Sequence, residues 1–303
     1  MIKTEELTKE FEKKIAVKGL NLDIHEGEVF GFLGPNGAGK TTTIRMLASL
    51  IGPTQGSAIV NGYRIGYEDK QIRSTVGVLT ETPGMYDNLS AEQNLRIFAE
   101  LYDIQDVSGQ VEKYLKLLDL WGRRNDSAGT LSKGMKQKLA IARALVHEPR
   151  ILFLDEPTAG LDPEAAHMLR DFIAELRTQG RTIFLCTHNL DEADRLCDRI
   201  GVFKTRLLVV DTPTNLRSSI FGRKIVFHLQ MVNEEMLNCI RKFEYIKEVK
   251  AIDNKIVATM DDPDTQNPEL IRALINIGAN LRFVGELRHS LEEVYLKLVQ
   301  KVE

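Results

Sequence analysis

Val29-Phe30-Gly31-Phe32-Leu33-Gly34-Pro35-Asn36-Gly37-Ala38-Gly39-Lys40-Thr41 is the stretch that decides the fold. Its apolar start has the look of a short buried strand, and the rest fits the pattern G-x-x-x-x-G-K-[ST]. Thr42-Thr43-Ile44-Arg45-Met46-Leu47 then carries a helical pattern. A glycine-rich turn set between strand and helix aims successive backbone N–H groups at one centre. The helix start adds its partial positive charge. Such a cradle takes phosphate, so Gly34, Pro35, Asn36, Gly37, Ala38, Gly39 and Thr42 are expected to surround a nucleotide's phosphates. Lys40 is expected to reach the β- and γ-phosphates, and the Thr41 hydroxyl to bind magnesium.

Two further strand ends complete this chemistry. Ile151-Leu152-Phe153-Leu154-Asp155-Glu156 is an apolar strand closed by two acids. Magnesium keeps several waters and needs few protein oxygens, so Asp155 with Thr41 is a sufficient protein set. Glu156 is then free to orient or deprotonate an attacking water. Capping of the next turn is the plainer alternative for these acids. Thr187-His188 ends the strand Ile183–Thr187, where a histidine can sense a γ-phosphate and polarise water. His25, His147, His167, His228 and His289 have no such setting and are expected to be surface or core residues.

A second serine- and glycine-bearing turn, Leu131-Ser132-Lys133-Gly134-Met135-Lys136-Gln137, follows L-S-x-G-x-x-Q and opens a helix. One phosphate cradle does not need another in the same subunit. The turn makes sense as a surface offered to the nucleotide of another subunit, through the free N–H groups that also favour Ser132 as an N-cap.

Short apolar runs alternate with helical stretches over residues 1–215, as expected for an α/β domain with a largely parallel sheet. Ser90-Ala91-Glu92-Gln93 and Ser290-Leu291-Glu292-Glu293 fit capping boxes, and Asp162-Pro163 fits an N-cap before proline. Thr212-Pro213-Thr214-Asn215 has the composition of a linker. Residues 216–303 have another rhythm. Strands are expected at Lys224–Gln230, Ile246–Ile252, Lys255–Met260 and Asn280–Val284. Helices are expected at Asn233–Arg241, Pro268–Ile277 and Leu291–Val299, with a two-residue turn at Asp253-Asn254. That order is compatible with a small ferredoxin-like α+β domain.

The 303 residues are 43% hydrophobic and 27% charged, ordinary for a globular protein. A net charge of -3 gives no basic field for nucleic acid. No apolar run is long enough to cross a bilayer, and the acidic start Met1-Ile2-Lys3-Thr4-Glu5-Glu6 is unlike a signal peptide. Cys186, Cys197 and Cys239 are scattered and odd in number, as in a cytosolic chain with buried thiols.

Over residues 1–215, these motifs in this order resemble the ATP-binding subunit of ABC transporters. The resemblance implies a P-loop ATPase fold, ATP and Mg2+ as cofactors, and a head-to-tail pair of chains. In that pair Ser132 and Gly134 would contact the γ-phosphate held by a second copy. Ala159-Gly160-Leu161-Asp162 matches the family's D-loop, which links the two sites. Phe11 stands where the family usually stacks an aromatic ring on adenine, although a core phenylalanine is the alternative there. The resemblance also implies a separate membrane permease that holds the chain peripherally on the inner face of the cell membrane. Pro83-Gly84-Met85-Tyr86-Asp87-Asn88-Leu89 is the matching docking region, with interface and buried packing equally open for Met85 and Tyr86. Residues 216–303 are similar to the accessory or regulatory tails of ATPase subunits that serve drug, antibiotic or lipid export.

Two positions depart from the family pattern. Glu81 replaces a usual glutamine; its carboxylate can bind magnesium but adds negative charge near the γ-phosphate. Lys133 replaces the first signature glycine and brings a cation near phosphate. A soluble ATPase acting on ribosomes or in DNA repair is disfavoured. It would bring a second nucleotide domain or a long coiled-coil insertion. A non-hydrolysing subunit is disfavoured by the presence of Lys40, Asp155, Glu156 and His188.

Overall fold

The computed structural model describes residues 1–12, 14–82, 84–287 and 289–300. Pro83, the first residue of the expected docking region, lies outside the described residues. The chain divides into two compact units, Met1–Thr212 and Pro213–Glu303.

The first unit is built on a six-stranded sheet in the order Arg206–Asp211, Arg199–Lys204, Val29–Leu33, Thr182–Thr187, Ile151–Asp155, Val76–Leu79. All neighbours are parallel except the first pair. Val29–Leu33, Ile151–Asp155 and Thr182–Thr187 are buried along their whole length, which is why they are unbroken apolar runs rather than alternating ones. Phe30, Phe32, Phe153, Phe184 and Phe203 interlock between them, with ring centroids 4.5–5.8 Å apart. The register sets Leu33 beside Thr187, Asp155 beside Cys186 and Leu79 beside Leu154. Four carboxyl ends therefore finish at one edge, the place where parallel sheets bind ligands.

Beside it stands a four-stranded antiparallel sheet, ordered Lys14–Ile24, Ile2–Phe11, Gln55–Val60, Tyr63–Arg64. Register shifts between Thr4 and Leu7, Leu7 and Lys9, and Lys9 and Glu10 break its alternation, so no simple period marks these strands in the sequence. The expected caps form. Ser90 and Gln93 make both halves of a capping box, and Asp162 Oδ1 accepts from Ala165 N at 2.8 Å with Pro163 at the first helical position. Cys186 and Cys197 are buried; Cys239 is half-buried, less enclosed than expected. Among the described residues, no helix is long and apolar enough to cross a membrane.

In the second unit the strands Glu248–Ile252, Lys255–Met260, Arg223–Leu229 and Leu281–Glu286 lie in that order, all antiparallel. The helices Glu234–Arg241 and Pro263–Asn276 complete a ferredoxin-like βαββαβ order. Ile225, Phe227, Ile240, Ile256, Met260 and Leu270 belong to its core. Asp253, at φ 51°, and Asn254 join two of the strands, with Ile252 paired to Lys255. Glu293 N donates to Ser290 Oγ at 3.2 Å and Ser290 N to Glu293 Oε2 at 3.0 Å, the second expected capping box.

Two readings are corrected. The boundary expected at Thr212–Asn215 falls between Thr212 and Pro213 rather than after residue 215, and it is no open linker, because Pro213 opens the helix Pro213–Phe221, its fixed φ suiting the first helical position. Pro268 does not start its helix. Pro263 does, and Pro268 sits inside, where the ring removes one backbone donor that burial of Leu270 and Leu274 outweighs.

Candidate active site

Gly34 to Gly39 bend the chain from the strand Val29–Leu33 into the helix Lys40–Leu47. Gly39 is at φ 111°, and a Cβ there would lie 2.2 Å from the Ala16 carbonyl oxygen, so no larger residue fits. Pro35, Asn36, Gly37, Gly39, Lys40, Thr41 and Thr42 line a cleft of about 490 Å³ together with Phe11, Glu81, Asp155 and Glu156. Gly34 and Ala38 close the loop from behind instead. A Cβ on Gly34 would strike the Phe203 carbonyl, and Ala38 is buried with its N–H on Pro35 O at 3.1 Å.

The buried charged groups of this edge, Lys40, Asp155 and Glu156, have partners within the chain. Lys40 Nζ donates to Gly34 O at 2.6 Å and lies 3.3 Å from Glu156 Oε1, with both side chains buried. Glu156 Oε2 accepts from a His188 ring nitrogen at 2.8 Å, while the His188 ring stays half exposed. Glu156 itself holds φ 51°, a strained setting for a side-chain-bearing residue that aims its carboxylate back across the sheet edge. Thr41 Oγ1 donates to Asp155 Oδ2 at 2.6 Å. Burial pushes the Asp155 carboxyl above its usual range, and the charges of Glu156 and Glu81 act the same way. The Thr41 hydrogen bond and Lys40 oppose them. Asp155 and Thr41 thus present two hard oxygens side by side with the Glu81 carboxylate on the same cleft, a donor set that fits a magnesium ion retaining most of its water.

Phe11 is 47% exposed on the wall of this cleft, so the alternative of a core phenylalanine is set aside. Lys14 and Ala16 also line the cleft or abut it and carry no signal in the sequence, since the irregular hairpin of Ile2–Phe11 with Lys14–Ile24 brings them there.

The signature turn is elsewhere. Neither Ser132 nor Gly134 lines the cleft. Ser132 Oγ caps the helix Lys133–Leu145 by accepting from Met135 N at 3.3 Å, and both Ser132 and Lys133 are exposed. The turn is braced against the segment that follows Glu156. Gln137 Nε2 donates to Pro157 O at 2.7 Å, and the Lys133 ammonium lies against Gly160, where a Cβ would stand 1.9 Å from it. Tyr86 is 53% exposed and its backbone is held by the buried Asn94 at 2.9 and 3.0 Å; Met85 is half-buried. Of the histidines without an expected role, His147 is half-buried on the wall of a groove. It stacks on Tyr102 at 3.8 Å and burial pushes its pKa down to about 4.

Known proteins resemble this chain over most of its length. A family model described as ABC transporter matches residues 17–159. The linearmycin resistance ATP-binding protein of Bacillus subtilis (strain 168) is 33% identical over 98% of this chain and 98% of its own length. The Nod factor export ATP-binding protein I of Rhizobium sp. (strain N33) is 33% identical over 96% of this chain and 94% of its own. A solved dimeric ATP-binding cassette, in a post-hydrolysis state with ADP and Pi, matches with a TM-score of 0.64 and 26% identity. The match covers 70% of this chain and 98% of that one.

Proposed function

The chain belongs to the ATP-binding subunits of ABC transporters and is an ATPase; from this we propose that two copies close head to tail on two Mg-ATP and thereby drive a separate membrane subunit that exports its cargo. The observation that carries the reading is the separation of two phosphate-binding elements. The loop Gly34–Thr41 shares a cleft with Asp155 and Glu156, whereas Ser132 and Gly134 do not line that cleft, and Ser132 lies exposed at a helix start. A second copy supplies what each cleft lacks.

In this reading Phe11 stacks on the adenine, the loop N–H groups and Thr42 hold phosphate oxygens, and Lys40 moves from Glu156 to the β- and γ-phosphates. Thr41, Asp155 and Glu81 hold the magnesium, which when bound offsets the charge that develops on the β- and γ-oxygens. Glu156, released by Lys40, takes a proton from the attacking water, and His188 orients Glu156 and meets the γ-phosphate. Ser132 and Gly134 complete the far side of the phosphate in the other copy.

Export is supported by the Nod factor export relative, and antibiotic-like cargo by the linearmycin resistance relative. Docking to a membrane subunit is supported by the exposed Tyr86 and by a groove of about 310 Å³ lined in part by Leu50, Arg73, Phe98, Arg143 and His147. Docking there would hold the chain on the cytoplasmic face of the membrane. The second unit is an accessory domain in this scheme.

Glu156→Gln tests the assignment. Turnover is expected to fall on the order of 10²–10⁴-fold while ATP still binds and a dimer accumulates with ATP on a sizing column. Undiminished hydrolysis would remove Glu156 from the role of base.

A further inference from the structure

Phe11, Lys14 and Ala16 line the cleft from the antiparallel hairpin, whereas its other walls come from the phosphate loop and the edge of the parallel sheet. Phe11 and Lys14 are paired across the strands Ile2–Phe11 and Lys14–Ile24. Directly opposed residues of such a pair put their side chains on one face. Two residues along the same strand, the Ala16 carbonyl sits against Gly39 of the phosphate loop. Lys14 therefore stands about 6–7 Å further from the loop, beside the ring of Phe11.

One face of that ring is already covered. Lys9 Nζ lies 5.1 Å from its centroid and is tethered by donating to Gly52 O at 2.7 Å. Lys9 does not line the cleft, so the ring's open face is the one turned into it. A phenyl face stacks on any base and carries no preference for adenine. Reading adenine takes an acceptor for its 6-amino group. The carboxylates and the side-chain amide of this cleft, Glu81, Asp155, Glu156 and Asn36, belong to the magnesium edge and the phosphate loop.

The hairpin supplies an ammonium instead. Lys14 is exposed, and no hydrogen bond or ion pair to a described residue holds it. An ammonium has donors and no acceptor. Guanine sets two acceptors, O6 and N7, along one edge, and hypoxanthine has the same edge; adenine sets an N6 donor beside N7. The loop N–H groups and Lys40 already answer the phosphates, which leaves Lys14 to the base.

We infer that Lys14 is a specificity-determining residue that donates to the O6 and N7 edge of a purine stacked on Phe11, so that the cleft takes the 6-oxopurine triphosphates GTP and ITP as well as ATP. This rests on the placement of the base on Phe11 proposed above. The chemistry at the phosphates is unchanged by it.

The test measures affinity on the full chain with magnesium, by competition of ATP, GTP, ITP and 7-deaza-GTP against a ribose-labelled fluorescent ATP analogue. The parent is expected to bind GTP and ITP within about threefold of ATP, and 7-deaza-GTP, which lacks N7, several-fold more weakly than GTP. Lys14→Met keeps the apolar stem and removes the donors. It should weaken GTP and ITP about five- to tenfold and ATP less than about twofold. Lys14→Arg, which keeps donors, should stay near the parent for all of them. An equal loss for ATP and GTP in Lys14→Met, the mark of a phosphate or ribose contact, overturns the inference, and so does no loss for either. Phe11→Ala run alongside separates the two readings. If it weakens every nucleotide while Lys14→Met discriminates none, only the role of Lys14 fails. If it weakens none, the placement of the base on Phe11 fails.

Discussion

The phosphate-loop edge and the signature turn both bind phosphate in the proposed cycle, yet they are built in opposite ways. At the loop edge the buried Lys40, Asp155 and Glu156 each have a partner inside the chain. Lys40 and Glu156 are buried 3.3 Å apart, His188 meets Glu156 at 2.8 Å, and Thr41 meets Asp155 at 2.6 Å. At the turn, Ser132 caps its own helix and is exposed, as is Lys133. A buried charge must be matched where it folds, whereas an exposed helix start costs little until an anion arrives. One half of the chemistry is therefore prefolded, and the other is a surface held in readiness.

Substitutions at the two places should separate binding from turnover. Lys40→Ala strips the loop of its cation and leaves Glu156 buried without a counter-charge. ATP affinity should fall about a hundredfold or more, measured by titration of a fluorescent ATP analogue, and hydrolysis should disappear with it. Ser132→Arg should abolish turnover as completely while the affinity of a single chain for ATP stays unchanged. Equal loss of affinity in both would erase the contrast.

Phe11→Ala gives a smaller effect on the same wall. Loss of one stacking face should raise KM roughly tenfold with kcat retained, and Phe11→Tyr should restore it. An unaltered KM in the alanine variant would return Phe11 to a packing role.

A separate effect, on stability rather than turnover, concerns how the signature helix is anchored at its far end. His147 lies just beyond Lys133–Leu145, bonded to Val76 O at 3.0 Å and stacked on Tyr102. Burial holds its pKa down at about 4, below the ordinary value of 6.5, so the fold favours the neutral ring. A group depressed in this way contributes its stability above the unfolded pKa and loses it as protons bind. Stability should therefore fall from pH 6.5 down to 4, by up to about 3 kcal/mol in urea unfolding, and His147→Gln should flatten that window.

How much of this was legible beforehand follows the range of the interaction. Lys40, Thr41 and the glycines are legible because loop, strand and helix are contiguous, and Asp155, Glu156 and His188 because each ends an apolar strand. The antiparallel sheet of residues 2–64 escapes a period-based reading since its bulges break the alternation. Pro268 misplaces a helix start because a proline is tolerated inside when the face it interrupts is otherwise well buried.

The most direct measurement of the central claim mixes two inactive chains. Lys40→Ala keeps the signature turn and lacks the loop; Ser132→Arg keeps the loop and lacks the turn. In an equal mixture, dimers that contain one of each hold one complete site. Hydrolysis should return to roughly a quarter of the parent rate if pairing is random and the sites act singly. A mixture as inactive as either chain alone would contradict a site shared between two copies.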